Sequence, residues 1–253
     1  MDRQFPLVSI ITACLNSEST IQKTIESVLA QTYQNIEYII IDGGSKDRTV
    51  NIISKYRNRI CHFISEPDRG VSDAFNKGIL LSHGEYIQIL NADDYLPQNA
   101  IELAMVMLQQ HPDMGFVFGD IIRIDPESGK EKRILGDHNY QKRIHFTMPR
   151  INHPTNFVKK SLYDVYGLYS LRWKLAMDYD WLLRVHKNGV RGYYSGEIVT
   201  YMTGNGRSDR NALKAFKEVR NISVCHGFNL LLAYSYFVLR CFKHVLLKSI
   251  GLR

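Results

Sequence analysis

The chain lacks the long apolar run that a transmembrane helix requires. Among its 253 residues there is no stretch of 18 uncharged apolar residues, whereas about 20 are needed to cross a bilayer. The N-terminal apolar run from Leu7 to Leu15 is interrupted by Ser9 and Thr12, and it has neither a basic lead nor a small-residue cleavage site. It therefore predicts a β-strand rather than a signal peptide.

Cysteine pairs with the spacing of zinc or redox motifs are also absent. The four cysteines are far apart in the sequence: Cys14, Cys61, Cys225 and Cys241. No CxxC motif can be formed from them, which excludes the common zinc and thiol–disulfide signatures. We therefore expect a reduced, cytoplasmic setting.

Two familiar phosphate-binding motifs are missing as well. No GxGxxG follows the first apolar run, and no GxxxxGK[ST] occurs in the chain, so any nucleotide is held differently from NAD or from the ATP of a P-loop enzyme. The net charge of +7 suits an anionic partner. Because no recognised motif accompanies this charge, we expect no nucleic-acid partner.

Apolar strand patterns and helical patterns alternate about every 20 residues over the first ~120 residues. This alternation predicts an α/β fold with a mostly parallel central sheet and helices on both faces. Polar residues follow four of the predicted strands: Thr12 and Asn16, then Asp42, then Glu66, Asp68 and Arg69, then Asp93 and Asp94. Ligands bind at the carboxyl ends of the strands in such sheets.

The stretch from Ile87 to Pro97 predicts a buried strand that ends in two adjacent carboxylates, Asp93 and Asp94. Neighbouring carboxylates repel each other unless a cation or a hydrogen-bond network holds them. A divalent ion with oxygen ligands is the simplest solution. The alternative is a turn with a helix cap, because Asp is a good N-cap residue.

A second acidic pair, Asp178 and Asp180, opens a predicted helix. The two side chains point in different directions, so one can face a cleft while the other caps the helix. The alternative is that both favour the helix dipole. The polar, basic stretch from residue 137 to residue 150 has no clear periodicity and predicts an active-site loop, and residues 204–208 predict a flexible basic loop.

The last segment combines apolar and basic residues. Leu230 to Leu239 is almost wholly apolar and aromatic, and no acidic residue occurs from Asn221 onward. Basic side chains then recur at helical spacing: Arg240, Lys243, His244 and Lys248. This pattern predicts an interfacial helix on an anionic membrane surface. The alternative is a helix packed on the domain with a basic, solvated face.

Five stretches of this sequence resemble the family 2 glycosyltransferases of the GT-A fold, in particular the bacterial O-antigen and exopolysaccharide enzymes. The matching stretches are Val8–Thr12 with Asn16, Ile41–Thr49, Ser65–Gly78, Leu90–Asp94 and Asp178–Arg184. The resemblance implies an inverting, metal-dependent transfer of one hexose or N-acetylhexosamine from a nucleotide sugar, usually UDP-linked. The expected cofactor is Mn²⁺ or Mg²⁺, and the expected acceptor is a polyprenyl-diphosphate-linked saccharide.

The resemblance also assigns roles to residues. Nucleotide-sugar contacts are implied for Thr12, Asn16, Asp42, Asp68, Asp73, Asn91, Ala92 and Asp93. Asp93 takes the last position of the DxD-like motif and is expected to bind the metal, while Asp178 is expected to be the general base. Two residues depart from the family pattern. Asn91 stands where the motif has its first Asp, and Met177 stands where many relatives have Glu before the catalytic Asp. The second departure leaves open whether Asp178 or Asp180 is the base. No QxxRW motif of processive synthases occurs.

The expected organisation is a GT-A domain over residues 1–225, with a nucleotide-sugar half (1–120) and an acceptor half (121–225), followed by a membrane-association helix over residues 226–253. The protein is expected to be peripheral on the inner face of the cell membrane, and its oligomeric state is left open. Two alternatives are a sugar-nucleotide nucleotidyltransferase, which is disfavoured because Asn16–Ser19 is not a glycine- and Arg/Lys-rich loop, and a non-catalytic subunit that binds nucleotide or glycan.

Overall fold

A computed structural model describes residues 5–203 and 211–249 of the chain. The strands in these residues are β1 (Val8–Cys14), β2 (Ile36–Asp42), β3 (His62–Ser65), β4 (Tyr86–Ile89), β5 (Asp94–Tyr95), β6 (Phe116–Ile124), β7 (Glu131–Ile134), β8 (Phe157–Lys159) and β9 (Gly192–Thr203). The α-helices are α1 (Ile21–Leu29), α2 (Thr49–Ser54), α3 (Val71–Leu81), α4 (Ala100–Gln110), α5 (Ser161–Tyr166), α6 (Met177–Lys187), α7 (Ala212–Cys225) and α8 (Leu230–Ser249).

The strands form a single sheet in the order β3-β2-β1-β4-β8-β6-β9-β5, with β7 paired to β6. Strands β3, β2, β1 and β4 are parallel, whereas β8 runs antiparallel to both β4 and β6. Since β6 crosses the predicted boundary at residue 120, the two predicted halves share this sheet. The predicted α/β fold with a mostly parallel sheet is confirmed.

Helices cover both faces of the sheet, as the alternating pattern predicts. Side chains of α3, α6 and α7 pack with Ile11 and Ile39 on one face, and side chains of α1 and α4 pack with Ile10 and Ile40 on the other. Helix α3 lies very close to β1, because a Cβ atom at Gly78 would be 2.3 Å from Ile11 Cγ2. This contact leaves no room for any side chain larger than that of glycine.

Several predicted boundaries are wrong by a few residues. The sequence predicts a strand over residues 114–119, but β6 runs from Phe116 to Ile124, because it pairs with β7, β8 and β9. The sequence also predicts a strand over residues 153–158, but this stretch begins with a 3₁₀ turn, His153–Thr155, and only then enters β8. Pro154 lacks the N–H that a paired strand would use.

The sequence predicts Asp47 as the N-cap of the helix after β2, but α2 begins at Thr49 and Arg48 directly precedes it. Asp47 still supports this end of the helix, since its Oδ1 accepts the N–H of Thr49 at 2.9 Å.

Candidate active site

The buried carboxylate of Asp42 organises the loop that follows β2. It accepts the N–H groups of Gly44 (3.2 Å) and Ser45 (3.0 Å) and the hydroxyl groups of Ser45 and Ser65, the latter at 2.6 Å. These donors come from the loop and from the end of β3. The side chain expected at the nucleotide base is therefore completely enclosed, and it shapes the loop around the site.

Asn16 and Asp68 lie against the same loop. Asn16 Oδ1 accepts the N–H of Lys46 at 2.8 Å, and Asp68 covers Gly43 so closely that a Cβ atom there would be 2.4 Å from Asp68 Oδ2. The carboxyl ends of β1, β2 and β3 thus bring Asn16, Asp42 and Asp68 together, as the sequence predicts. Thr12 lies deeper in β1, fully buried, with its hydroxyl 3.2 Å from that of Tyr38.

Asp73 lies in the first turn of α3 and is held by Arg69. Its Oδ2 accepts the backbone N–H of Arg69 at 3.1 Å, and its Oδ1 accepts a guanidinium N–H of the same residue at 3.0 Å. The hydrogen bonds from Arg69 lower the pKa of the Asp73 carboxyl. This carboxylate therefore stays charged beside the loop that carries Asp68.

The adjacent carboxylates after β4 have different environments. Asp94 is buried and accepts an N–H of the Asn91 amide at 2.9 Å; burial, together with the charge of Asp93, raises its pKa well above the usual range. Asp93 is half-buried, and its backbone carbonyl accepts the hydroxyl of Thr203 at 2.8 Å. Of the pair, Asp93 is the more exposed, and its hard oxygen atoms suit Mg²⁺ or Mn²⁺. Ala92, which lies between Asn91 and Asp93, is buried.

The second acidic pair divides in the same way. Asp180 is buried, with Oδ1 3.0 Å from His226 Nε2 and Oδ2 3.4 Å from Arg184 Nε. Asp178 is half-buried and accepts only the N–H of Tyr179 at 2.9 Å among the hydrogen bonds of its side chain in the described residues. Its carboxyl lines a cavity, and burial raises its pKa to about 6.

Two polar residues that sequence reasoning missed share this cavity of about 20 Å³ with Asp178: His153 and Asn156. Burial lowers the pKa of His153 to about 4, so the ring is neutral, and it stacks on Phe75 at 5.5 Å. Asn156 Oδ1 is buried and has no hydrogen-bond partner among the described residues. The only sequence signal is a cluster of polar residues beside Pro154 in an apolar stretch.

Helix α3 joins the loops at the carboxyl ends of β1–β3 to the segment that carries Asp178. Asn76 and Tyr169 exchange two hydrogen bonds of 2.9 Å each, and the Lys174 ammonium donates to the carbonyl of Arg69 at 3.1 Å. These three hydrogen bonds tie α3 and its leading loop to the segment just before α6. Asp178 is thereby positioned relative to the loops around Asp68 and Asp73.

One group of three side chains with metal-ligand chemistry is found in the described part of the chain: Glu37, His62 and His83. Glu37 Oε1 lies 2.8 Å from His83 Nδ1 and 3.7 Å from His62 Nε2. Glu37 is five residues before Asp42, which corresponds to about 17 Å along a strand. This group therefore lies near the amino ends of the strands. Asp93, which the sequence predicts as the metal ligand, lies at their carboxyl ends.

Helix α8 packs on the domain through Tyr236 and Arg240, whereas Lys243 on the same side is exposed. Arg240 donates to the Thr147 hydroxyl at 2.8 Å, and Tyr236 stacks on Phe146 at 5.4 Å. The predicted common face of Arg240, Lys243 and His244 is found, since all three line one groove. None of the described helices is long and apolar enough to cross a membrane.

The outward side of α8 carries an apolar stripe at helical spacing: Leu231, Val238, Phe242 and Val245, which are 58–77% exposed. The alternative of a helix packed on the domain with a basic, solvated face fits the packing of Arg240 and the exposure of Lys243, while the most exposed side chains of α8 are apolar. The predicted loop over residues 204–208 and the side chain of Lys248 lie outside the described residues.

The model of the family described as "Glycosyl transferase family 2" matches residues 9–170, which is more than half of the chain. The chain belongs to glycosyl transferase family 2. This confirms the resemblance and identifies the protein as a glycosyltransferase. The match covers the loops around Asp42, Asp68 and Asp93 but ends before Asp178.

Curated relatives agree with this assignment. An uncharacterized glycosyltransferase of Rickettsia typhi is 32% identical over 202 residues, which are 77% of this chain and 63% of that protein. A PGL/p-HBAD biosynthesis glycosyltransferase of Mycobacterium bovis is 26% identical over 90% of this chain and 89% of the relative. The chain thus spans slightly less than two thirds of the Rickettsia protein.

Solved structures share the fold of this family 2 member. TarS 1–349 of S. aureus superposes with a TM-score of 0.67 at 17% identity, covering 94% of this chain and 72% of TarS 1–349. A mannosyltransferase of Pyrobaculum calidifontis, solved with GDP-Man and Mn²⁺, has a TM-score of 0.67 at 14% identity and covers 99% of this chain and 81% of that one. The GT-A fold expected from the resemblance is confirmed.

The different environments of the second acidic pair predict that Asp180 serves stability. Asp180→Ala should lower the free energy of unfolding by about 3 kcal/mol, because it leaves Arg184 and His226 without their buried partner. Urea unfolding measures the change. The matched control is Asp164→Ala, which removes a carboxylate that is 60% exposed and paired to Lys160 and should cost less than about 1 kcal/mol. Equal effects of the two substitutions would contradict this role.

Proposed function

We propose that this protein is an inverting, metal-dependent glycosyltransferase that moves one hexose or N-acetylhexosamine from a nucleotide sugar to a lipid-linked saccharide. The observation that carries the proposal is the cavity beside α6. Its lining includes Asp178, whose pKa is about 6, and Asn156, whose buried amide oxygen has no hydrogen-bond partner among the described residues. Helix α3 ties this cavity to the loops at the carboxyl ends of β1–β3. A donor site and an acceptor site facing each other require such an arrangement.

The donor is proposed to lie over the loops that contain Asn16, Gly43 and Asp68. Related structures support a nucleotide sugar, since TarS 1–349 was solved with UDP-GlcNAc and the mannosyltransferase with GDP-Man and Mn²⁺. A UDP-linked sugar is the donor we favour. Asp93 would hold Mn²⁺ or Mg²⁺, which would offset the negative charge of the departing diphosphate.

Asp178 is proposed to accept the proton of the attacking acceptor hydroxyl. A carboxylate with a pKa of about 6 is mostly ionised at neutral pH, yet it is more basic than an exposed Asp. The cavity of about 20 Å³ has room for about one hydroxyl-sized group, and Asn156 Oδ1 would accept a hydrogen bond from that group, while the neutral ring of His153 forms part of the lining. Asp180 is already engaged with Arg184 and His226, which favours Asp178 as the base.

The acceptor is proposed to be a polyprenyl-diphosphate-linked saccharide at the inner face of the cell membrane, within O-antigen or exopolysaccharide synthesis. Two features support a membrane-bound acceptor: the exposed apolar stripe on α8 and the lack of acidic residues after Asn221. An apolar helix face beside basic side chains is typical of interfacial helices. The protein would then lie on the anionic leaflet through α8.

The proposed metal site predicts how nucleotides stabilise the fold. UDP, GDP, dTDP and CMP are screened by thermal shift with and without Mn²⁺. One nucleotide at 100 times its Kd should stabilise the protein by about 2.7 kcal/mol with Mn²⁺ present. Asp93→Ala should remove the Mn²⁺-dependent part, whereas Asp113→Ala, an exposed carboxylate paired to Arg191, should keep it. An unchanged Mn²⁺ effect in Asp93→Ala would exclude Asp93 as the ligand.

The proposed base predicts both a rate loss and a pH profile. Asp178→Asn should lower the transfer rate by about 10²–10⁴-fold while the nucleotide thermal shift is retained. Because the base must be ionised, kcat/KM of the wild type should rise with pH through about 6 and level off above it. The raised pKa also means that ionisation at pH 7 opposes folding, so Asp178→Asn should not lower Tm. Near-normal transfer by Asp178→Asn would refute the assignment.

The apolar stripe predicts membrane binding. The double variant Val238→Asp with Phe242→Asp should bind vesicles that contain phosphatidylglycerol at least tenfold more weakly, since burying either side chain contributes about 1.5–3 kcal/mol. Vesicle sedimentation measures the loss, and Val165→Asp, at a residue 70% exposed on α5, is the control. If the double variant changes only the oligomeric state, the stripe is a contact between copies instead.

A further inference from the structure

A basic groove of about 660 Å³ lies between α8 and the segment of residues 137–150. The ionisable side chains that line it are Asp137, Arg143, Arg150, Arg240, Lys243 and His244. Four permanent cations thus face one carboxylate. Arg143, Arg150 and Lys243 are exposed, so their charged ends are accessible to a ligand that enters from solvent.

The groove has walls that are held by specific contacts. The hydrogen bond from Arg240 to the Thr147 hydroxyl joins α8 to the segment of residues 137–150, and the Arg240 guanidinium also lies 4.5 Å from the centre of the Phe216 ring. Tyr236 stacks on Phe146 with an angle of 7° between the rings. These contacts set the spacing of the two walls before any ligand binds.

The groove adjoins the cavity whose lining includes Asp178. Met148 and Pro149 line both of them, so a ligand in the groove lies next to the proposed base. On its outer side the groove includes Leu239, which is 61% exposed and sits between Val238 and the basic residues on α8. A ligand there would have an apolar surface on one side and the Asp178 cavity on the other.

We propose that this groove binds the diphosphate of the lipid-linked acceptor, with the isoprenoid chain toward the apolar stripe of α8 and the first sugars toward Asp178. The inference rests on the proposed function, because it names the site that receives the acceptor of that reaction. A diphosphate carries several negative charges, and arginine side chains bind its oxygens in pairs. The order of apolar stripe, cationic groove and carboxylate cavity matches the order of lipid, diphosphate and sugar in such an acceptor.

An anionic phospholipid headgroup shares the phosphate chemistry but not this order. Such a headgroup has no sugar chain that would extend past Met148 and Pro149 to Asp178. It would also need only the outer rim of the basic surface. The position of the groove next to this cavity, with Met148 and Pro149 lining both, therefore favours the acceptor diphosphate over the general charge of the leaflet.

The experiment measures binding of the full chain to three kinds of phosphatidylcholine vesicle: with undecaprenyl diphosphate, with phosphatidylglycerol at equal surface charge, and with neither. The variants are Arg150→Gln, Lys243→Gln and the double substitution. Neither residue has a structural contact comparable to that of Arg240. Lys132→Gln, at an exposed lysine of β7, is the control of equal charge change.

The wild type should prefer undecaprenyl diphosphate vesicles to phosphatidylglycerol vesicles. Each groove substitution should weaken this binding by about tenfold and the double variant by about a hundredfold, because charge-assisted hydrogen bonds are lost. Lys132→Gln should bind like the wild type. Unchanged binding by the double variant, or equal binding of both anionic vesicles, would overturn the inference.

A second measurement separates this inference from the proposed function. The nucleotide thermal shift of the double variant should equal that of the wild type, since the groove is not part of the proposed donor site. Diphosphate binding that depends on Arg150 and Lys243 without any sugar transfer would refute the proposed reaction and keep the groove. Transfer to the lipid-linked acceptor with unchanged KM in the double variant would refute the groove and keep the reaction.

Discussion

The close packing of α3 on β1 is the contact on which the rest of the site depends. Gly78 allows this approach, because a Cβ atom there would overlap Ile11. From this position α3 presents Asp73 to the loops at the carboxyl ends of the strands and Asn76 to Tyr169 before α6. A shift of α3 would therefore move both contacts and change the distance between the proposed donor and acceptor sites.

The aspartate side chains of the site take different roles because their surroundings differ. Asp42 is enclosed by donors from its own loop and from Ser65, and it acts on the shape of that loop. The buried charge of Asp180 is compensated by Arg184 and His226, so the protein should unfold more readily when this carboxylate is removed. Asp178 has no cation within ion-pair distance among the described residues, and its pKa is raised first by desolvation and then by the charge of Glu218. A carboxylate without an ion-pair partner and with a raised pKa is suited to accept a proton.

The C-terminal helix connects the chemistry to a membrane in the proposed mechanism. Its inner side contributes Tyr236 and Arg240 to the packing, and its outer side leaves Val238 and Phe242 exposed. Such exposed apolar stripes are typical of interaction surfaces. A helix with these two sides can hold the domain at a fixed height above a bilayer, with the basic groove at the level of the lipid phosphates.

Much of the fold follows from local patterns in the sequence. The apolar runs and helical spacings predict the parallel strands, the helices on both faces and the polar loops after Cys14, Asp42 and Ser65, because these features depend on neighbours a few residues away. The same patterns single out the two acidic pairs, and the family resemblance selects Asp93 and Asp178 from them as candidate site residues. Strand ends were less predictable, as β6 shows, because pairing with distant strands decides where a strand stops.

The sequence by itself thus determined the fold class, the order of the elements and the two acidic stretches. Only the tertiary structure decided which carboxylate of each pair is enclosed, that Asn156 and Asp178 line one cavity, and that Arg150 and Lys243 share a groove. The physical reason is that burial and charge pairing depend on residues far apart in the chain. Asp180 meets His226, and Thr147 meets Arg240, across separations that no local pattern records.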